Sequence, residues 1–167
     1  TSTDQLKGLK MRFFGMGAKV MTKLGASTQL LSAADIYPAL ERGVIDATEF
    51  SMPSIDKNLG FYQIAKHYYF PGWHQQTSAA ELLMNKPKWE ALSAQHKAII
   101  TVSCGETLGW SLIKRDVIQA DALNKLKAKG VIVHRWTDAD LAAMREKWLE
   151  VLTENMAKDP LFKRVAE

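Results

Sequence analysis

From Ser93 to Lys129 the chain has no proline, places apolar residues at helical spacing (Ile99, Ile100, Val102, Leu108, Leu112, Ile113, Ile118, Leu123, Leu126), and meets a stop at Gly130. Continued at 1.5 Å per residue, such a helix is roughly 50 Å long. That is about twice the ~26 Å covered by two radii of gyration of a compact domain of about 100 residues. The helix must therefore kink, with Gly105 and Gly109 as the candidate points, or run as a spine along two lobes.

Upstream of the spine the pattern changes to short strands alternating with glycine-stopped helices. Leu9 to Phe14 reads as a strand between the turns at Gly8 and Gly15, and a helix begins after Gly15-Met-Gly17 and stops at Gly25. Thr28 to Leu31 is the next strand. The following helix, Asp35 to Arg42, is expected to start near Ala34 or Asp35, where Pro38 replaces an N–H that is orphaned anyway. Gly43 supplies the left-handed stop, and Val44 to Phe50 is a third strand that delivers Glu49 and Phe50 at its far end. The run is βαβαβ, the α/β doubly wound pattern.

Pro53 to Lys66 is expected to be helical, with Leu59, Tyr62 and Ile64 inward. Tyr68 to Gln76 is aromatic and turn-broken, and Ala79 to Met84 is strand-like, as in a crossover toward a second layer. Asn85-Lys86-Pro87 opens the helical half, since proline in a first turn loses no bond. After the spine, Val131 to Trp136 reads as a strand. Thr137 with Asp140 forms a capping box for a last helix that buries Leu141, Met144, Trp148, Val151 or Leu152 and Met156, and Pro160 ends it. The chain divides into βα units (1–50), a crossover with an aromatic turn (51–84), a long helical segment (85–130) and a strand with a C-terminal helix (131–167). A spine with so little beside it is expected to belong to a larger fold.

Composition narrows the function classes. Nearly half of the 167 residues are hydrophobic, which is globular and not disordered. The net charge of +4 is spread among interleaved acids and bases, whereas nucleic-acid binding needs a one-sided basic cluster with stacking aromatics, so no nucleic-acid partner is expected. Cys104 is the only cysteine, which excludes an intrachain disulfide framework. His67, His74, His96 and His134 show no close zinc spacing and read as packing or surface residues. Gly105 and Gly109 suggest a small-residue face for helix contact, and Trp89, Trp110, Trp136 and Trp148 fall on apolar faces that suggest core.

Arg12 stands out inside the apolar run Met11-Arg12-Phe13-Phe14. Its guanidinium must snorkel to water or meet an anion, and its planar fork suits a carboxylate. Spacing alone leaves both readings open. Glu49 at a strand end is, as a bare residue type, more often simply solvated.

Several stretches bear on that choice together. ALERGVIDATEF, LKGLKMRFFGMGAKVMTKLGAS and the turn PGWHQQ occur in an order and spacing that resemble the solute-binding proteins of tripartite ATP-independent periplasmic (TRAP) transporters. Within that family they most resemble the branch that binds 2-oxo acids. The resemblance implies a periplasmic-binding-protein-like two-lobe fold, of which this chain matches about the C-terminal half, and a protein that binds without catalysis. It implies that Arg12 pairs with the carboxylate of a small 2-oxo or hydroxy acid. Glu49, the backbone carbonyl of Phe50 and, in the PGWHQQ turn, Gln76 would hold a Na⁺ or Ca²⁺ ion. Such a cation relieves the repulsion between Glu49 and the bound carboxylate. Phe50 stands where a tryptophan is usual, and it keeps the carbonyl while offering a smaller ring to the ligand. Trp73 would line the cleft. The implied partners are the membrane permease subunits of the transporter and a second copy in a homodimer, and the implied location is the periplasm, with the export signal outside this chain.

A competing reading takes Gly15-Met-Gly17 as a nucleotide-binding turn of an enzyme. The third glycine of that motif is replaced by Val20, and a lone GxG equally describes a tight βα turn.

Overall fold

The structure, a computed structural model, describes residues 2–75, 78 and 80–167. A single 3-10 turn precedes the first sheet, whose strands are β1 (Lys10–Arg12), β2 (Ser27–Gln29) and β3 (Ala47–Thr48), all parallel in the order β2-β1-β3. Two helices connect them, α1 (Gly15–Lys23) and α2 (Ala33–Glu41). Because β2 lies on one side of β1 and β3 on the other, right-handed crossovers put α1 and α2 on opposite faces, as a doubly wound sheet requires. Side chains of β1 alternate accordingly. Met11 and Phe13 join Leu6, Met21 and Ala26 in one buried cluster, while Ile36, Ala39, Leu40, Ile45 and Phe61 form the other.

Gly43 ends α2 with φ +67°, as its position requires. The helix starts earlier than expected, however, at Ala33 after Ser32, so Pro38 lies inside it and forgoes an intrahelical bond. Helix α3 (Pro53–Asn58) is shorter than the expected Pro53 to Lys66, because Gly60 turns left-handed at φ +78° and a 3-10 turn over Phe61–Gln63 follows. Leu59 and Ile64 pack inward as expected, but the buried aromatic is Phe61 and not Tyr62, whose ring lies under Lys129 Nζ at 5.0 Å.

The aromatic stretch contains a strand that its turn residues conceal. β4 (His67–Phe70) pairs in parallel with β5 (Ile132–Arg135), in register from His67↔Ile132 to Phe70↔Arg135. Residues 80–84, by contrast, form no strand, and Leu82 and Leu83 are exposed. A strand needs a neighbour for its N–H and C=O groups, and no described strand runs beside this segment.

Asn85 caps the short α4 (Lys86–Glu90), and Ser93 caps α5 (Ala94–Ala128), which is the expected spine, continuous over 35 residues. It does not break at Gly105 or Gly109, and nothing lies within 4 Å of a Cβ added at either, so neither makes the expected helix contact among the described residues. Only Ala122 and Leu126 of α5 are buried. Its middle carries Val102, Leu108, Leu112 and Ile113 to solvent, with Trp110 60% exposed and not in a core. Where α5 does pack, it docks on α3 by a reciprocal amide clasp: Ser54 N donates to Gln119 Oε1 at 2.9 Å, and Gln119 Nε2 to Ser54 Oγ at 2.8 Å.

α6 (Asp138–Lys158) begins with the expected capping box of Thr137 and Asp140. It packs along α1 through buried Met144 and Val151 and through Lys23, which reaches Glu150 at 3.1 Å and Glu154 at 2.7 Å. Pro160 ends α6 and also opens α7 (Pro160–Ala166), capped by Asp159.

Candidate functional site

The site grows from the end of β1. β3 is short, but its ladder continues one residue further, since Glu49 N donates to Arg12 O at 3.0 Å. This bond sets Glu49 beside Arg12. The strand's alternation turns Arg12 away from Met11 and Phe13, toward the loop that follows β3.

Arg12 is 6% exposed, and a charge so buried needs partners. Its Nε donates to Leu31 O at 3.3 Å, and Nη1 donates to both Glu49 O at 2.5 Å and Glu49 Oε2 at 3.1 Å. The Phe50 ring covers the guanidinium, with Cζ 5.2 Å from the ring centroid, and is itself fixed edge-on against Phe61 at 5.8 Å. The Nη2 donors meet no acceptor among the described residues. The structure thus brings Arg12, Glu49 and Phe50 into one cluster.

Glu49 also accepts from Phe14 N at 3.3 Å, at the N-terminus of α1, through the same Oε2 that faces Arg12. Its Oε1 makes no hydrogen bond among the described residues and lies 3.6 Å from His74 Nε2. That nitrogen is sealed from solvent and has no hydrogen-bond partner among the described residues. His74 belongs to the turn after β4, which folds back on α1: the His74 ring packs edge-on against Phe13 at 4.8 Å, and Trp73 lies 6.0 Å from Phe13. Trp73 is half-buried in this stack. Gln76 lies outside the described residues.

The two glycines of Gly15-Met-Gly17 are explained by this packing. Gly15 has φ +63°, and a Cβ on Gly17 would come within 2.5 Å of Phe13 Cε1 and 3.0 Å of His74 Cδ2. They serve a turn and a close approach, which is the tight-turn reading, and nothing here supports nucleotide binding.

A second polar cluster anchors the loop beneath the site. Asp56 is buried, accepts from Ser51 N at 3.2 Å and from Tyr68 Oη at 2.5 Å, and so ties the segment after Phe50 to β4. Burial pushes the Asp56 carboxyl up to about 6 despite these donors, and the charge of Glu49 adds to the rise. Burial, with the adjacent carboxyl, also pushes the Tyr68 phenol above its ordinary range.

Sequence reasoning missed Asp56, Tyr68 and His74. For His74 a signal was present, since it lies within the PGWHQQ turn. Asp56 and Tyr68 meet only through tertiary structure.

A buried cation, a carboxylate with one oxygen unbonded among the described residues and a backbone carbonyl beside it thus meet at the end of β1. The family model for bacterial extracellular solute-binding proteins, family 7, matches residues 1–159, and the chain belongs to that family. It is 35% identical to a monocarboxylate 2-oxoacid-binding periplasmic protein of Nostoc sp., covering 99% of this chain and 46% of that protein. Among solved structures it resembles a TRAP solute-binding protein from Bordetella bronchiseptica with calcium and picolinate (TM-score 0.88, 37% identity, 98% of this chain and 49% of that one). It also resembles one from Colwellia psychrerythraea with calcium and pyruvate (TM-score 0.88, 31% identity, 99% and 51%). A third, from Pseudoalteromonas atlantica, holds sodium and pyruvate (TM-score 0.84, 31% identity, 99% and 51%). The chain spans about half the length of the curated relatives it matches.

Proposed function

We propose that this chain provides the carboxylate-gripping part of the solute-binding subunit of a TRAP-type transporter. In this reading it works in the periplasm, binds a small 2-oxo or hydroxy monocarboxylate together with Na⁺ or Ca²⁺, and hands it unchanged to membrane permease subunits. The observation that carries the reading is the buried Arg12 guanidinium, held by Glu49, with its Nη2 donors unused. A guanidinium already fixed by Leu31, Glu49 and Phe50 loses little further freedom on meeting a carboxylate.

The residues present suit a hard cation. Glu49 Oε1 makes no hydrogen bond, and the Phe50 carbonyl accepts none among the described residues. Both are oxygen donors of the type that Na⁺ and Ca²⁺ take. The ion would neutralise Glu49 where a second carboxylate must approach, and Gln76 remains a further oxygen donor on sequence grounds. The sealed His74 Nε2 would gain a partner in an oxygen of the bound acid or of a water. Trp73 would wall the approach. The bound calcium or sodium in the 2-oxo-acid-binding neighbours supports this assignment. A second copy of the chain is a proposed partner, in keeping with the dimer described for the Bordetella bronchiseptica neighbour.

The test is thermal unfolding of the intact two-lobe protein with pyruvate in buffers containing Na⁺ or Ca²⁺. A ligand bound only by the folded state raises the midpoint. The expected result is a pyruvate-dependent rise that requires the cation and disappears in Arg12→Ala. No rise with either cation overturns the reading.

A further inference from the structure

On the outward face of the second sheet, far from one another in sequence, His67 of β4 and His134 of β5 place Nδ1 and Nε2 2.8 Å apart. We propose that this pair is a second metal site, one that chelates a borderline-soft divalent transition ion such as Zn²⁺, Ni²⁺ or Cu²⁺, distinct from the hard-cation site at Glu49.

The pair is built by the sheet. Register sets Tyr69 opposite His134, and the alternation of β4 puts His67 and Tyr69 on the outward face while Tyr68 turns inward to Asp56. The ring of His134 is fixed by stacking on Tyr69, at 4.7 Å and 18° between planes, and Tyr69 is in turn stacked on Trp136 at 4.8 Å. His67 is exposed and inclined to His134 by 32°.

The spacing of the two nitrogens suits one ion. Imidazole nitrogens bind such metals at about 2.0–2.1 Å, so two of them at a right angle to one metal stand roughly 2.9 Å apart, and at the tetrahedral angle roughly 3.3 Å. The observed 2.8 Å is within a few tenths of an ångström of the first value, but with the ring centres 5.1 Å apart the two nitrogens face each other head-on. Each ring must therefore swing within its plane for both lone pairs to meet one ion, while the strands stay in place. Without metal the two facing nitrogens share one proton in a hydrogen bond. When the ion takes both lone pairs, that proton passes through solvent to the far nitrogen of the same ring, and two neutral rings release none. No third His, Cys, Asp or Glu completes a cluster among the described residues, so water fills the remaining positions on this open face. Imidazole donors select Zn²⁺, Ni²⁺ or Cu²⁺ over Na⁺ and Ca²⁺.

The experiment is equilibrium titration of the chain with Zn²⁺. The expected result is one strong equivalent, weakened roughly 100-fold in His67→Asn and in His134→Asn, because two-point chelation becomes one-point binding. In Glu49→Gln the affinity should be unchanged, which separates this site from the one proposed above. Imidazole-nitrogen NMR of the unaltered chain reads the same site without substitution: two of the four histidine rings should shift together. No Zn²⁺ binding, an affinity in either histidine variant equal to that of the unaltered chain, or shifts confined to other rings overturns the proposal.

Discussion

Arg12 and Glu49 meet twice, through one guanidinium nitrogen that donates to the Glu49 backbone carbonyl at 2.5 Å and to its carboxylate at 3.1 Å. The backbone contact fixes where the guanidinium sits, and the side-chain contact balances its charge. With side-chain exposures of 8% and 19%, neither group is well served by water. Breaking a buried pair from one side leaves the other charge uncompensated.

Removing each partner should therefore cost unequally. Arg12→Ala strands the Glu49 carboxylate and is expected to lose about 3–5 kcal/mol. Glu49→Gln leaves Arg12 its two carbonyl acceptors and the Phe50 ring, and is expected to lose about 1–3 kcal/mol. Urea denaturation of both single variants and the double variant checks this, with a double-mutant coupling of roughly 0.5–3 kcal/mol expected. Equal losses in the two single variants would show that the charge pair, not the backbone contacts, sets the stability.

Gly17→Ala is expected to destabilise although alanine is the better helix former. The helix gain is about 1 kcal/mol. Against it stands a Cβ placed 2.5 Å from Phe13 Cε1 and 3.0 Å from His74 Cδ2, and overpacking of this kind costs about 1–3 kcal/mol. The clash should lift the turn carrying Trp73 and His74 away from Phe13, so tryptophan fluorescence should change along with the denaturation midpoint. A stabilised Gly17→Ala variant would contradict the close packing.

These residues also show how much the sequence discloses. The βαβαβ order is legible because glycine stops and strand runs are local signals, and Gly43 does end its helix in a left-handed turn. The capping box at Thr137 is local too, and it is found as expected. β4 is hidden for the opposite reason. Its residues abut Pro71 and Gly72, and its partner β5 lies beyond the whole of α5, so the pairing leaves no nearby trace. In α5, apolar periodicity predicts a helix correctly but says nothing of what covers it, and Trp110 and Ile113 are exposed.

At the site, Arg12 was legible as an anomaly, a charge within an apolar run. Its contact with Glu49 is a consequence of β1–β3 pairing, and the resemblance places both residues in one pocket without predicting that they touch. His74 lies in a turn singled out for Trp73 and Gln76, yet the nitrogen facing Glu49 is its own. His67 and His134 are brought together only by the register of the second sheet.

Thr137→Ala tests the junction between the chain's start and α6. The Thr137 side chain accepts from Asp140 N at 3.1 Å, and its hydroxyl donates to Asp140 Oδ2 at 2.6 Å. Loss of such a cap costs about 1 kcal/mol. Asp140 does more, since its Oδ1 also accepts from Thr3 N at 2.8 Å, and the Thr137 hydroxyl with these backbone donors holds its carboxyl below the usual range. Asp140→Ala should therefore lower the denaturation midpoint further than Thr137→Ala, and should release residues 2–6 to faster amide exchange while Thr137→Ala leaves them protected.

Asp56 makes the pH dependence specific. In the folded chain its carboxyl keeps a proton up to about pH 6, against 3.8 for the ordinary group, because burial penalises the charged form more than Tyr68 and Ser51 compensate it. Between those values the folded state binds more protons than the unfolded one, so this residue's contribution to stability is full below 3.8 and is lost as pH rises through about 6. Asn at this position offers one oxygen to Tyr68 Oη or Ser51 N and has no charge to bury. Asp56→Asn is thus expected to flatten the decline in that window and to gain on the unaltered chain as pH rises to 7. Urea denaturation of both at closely spaced pH values checks it. Parallel curves for the two proteins would mean that folding does not raise the Asp56 carboxyl above its ordinary range, with Tyr68 and Ser51 offsetting its burial.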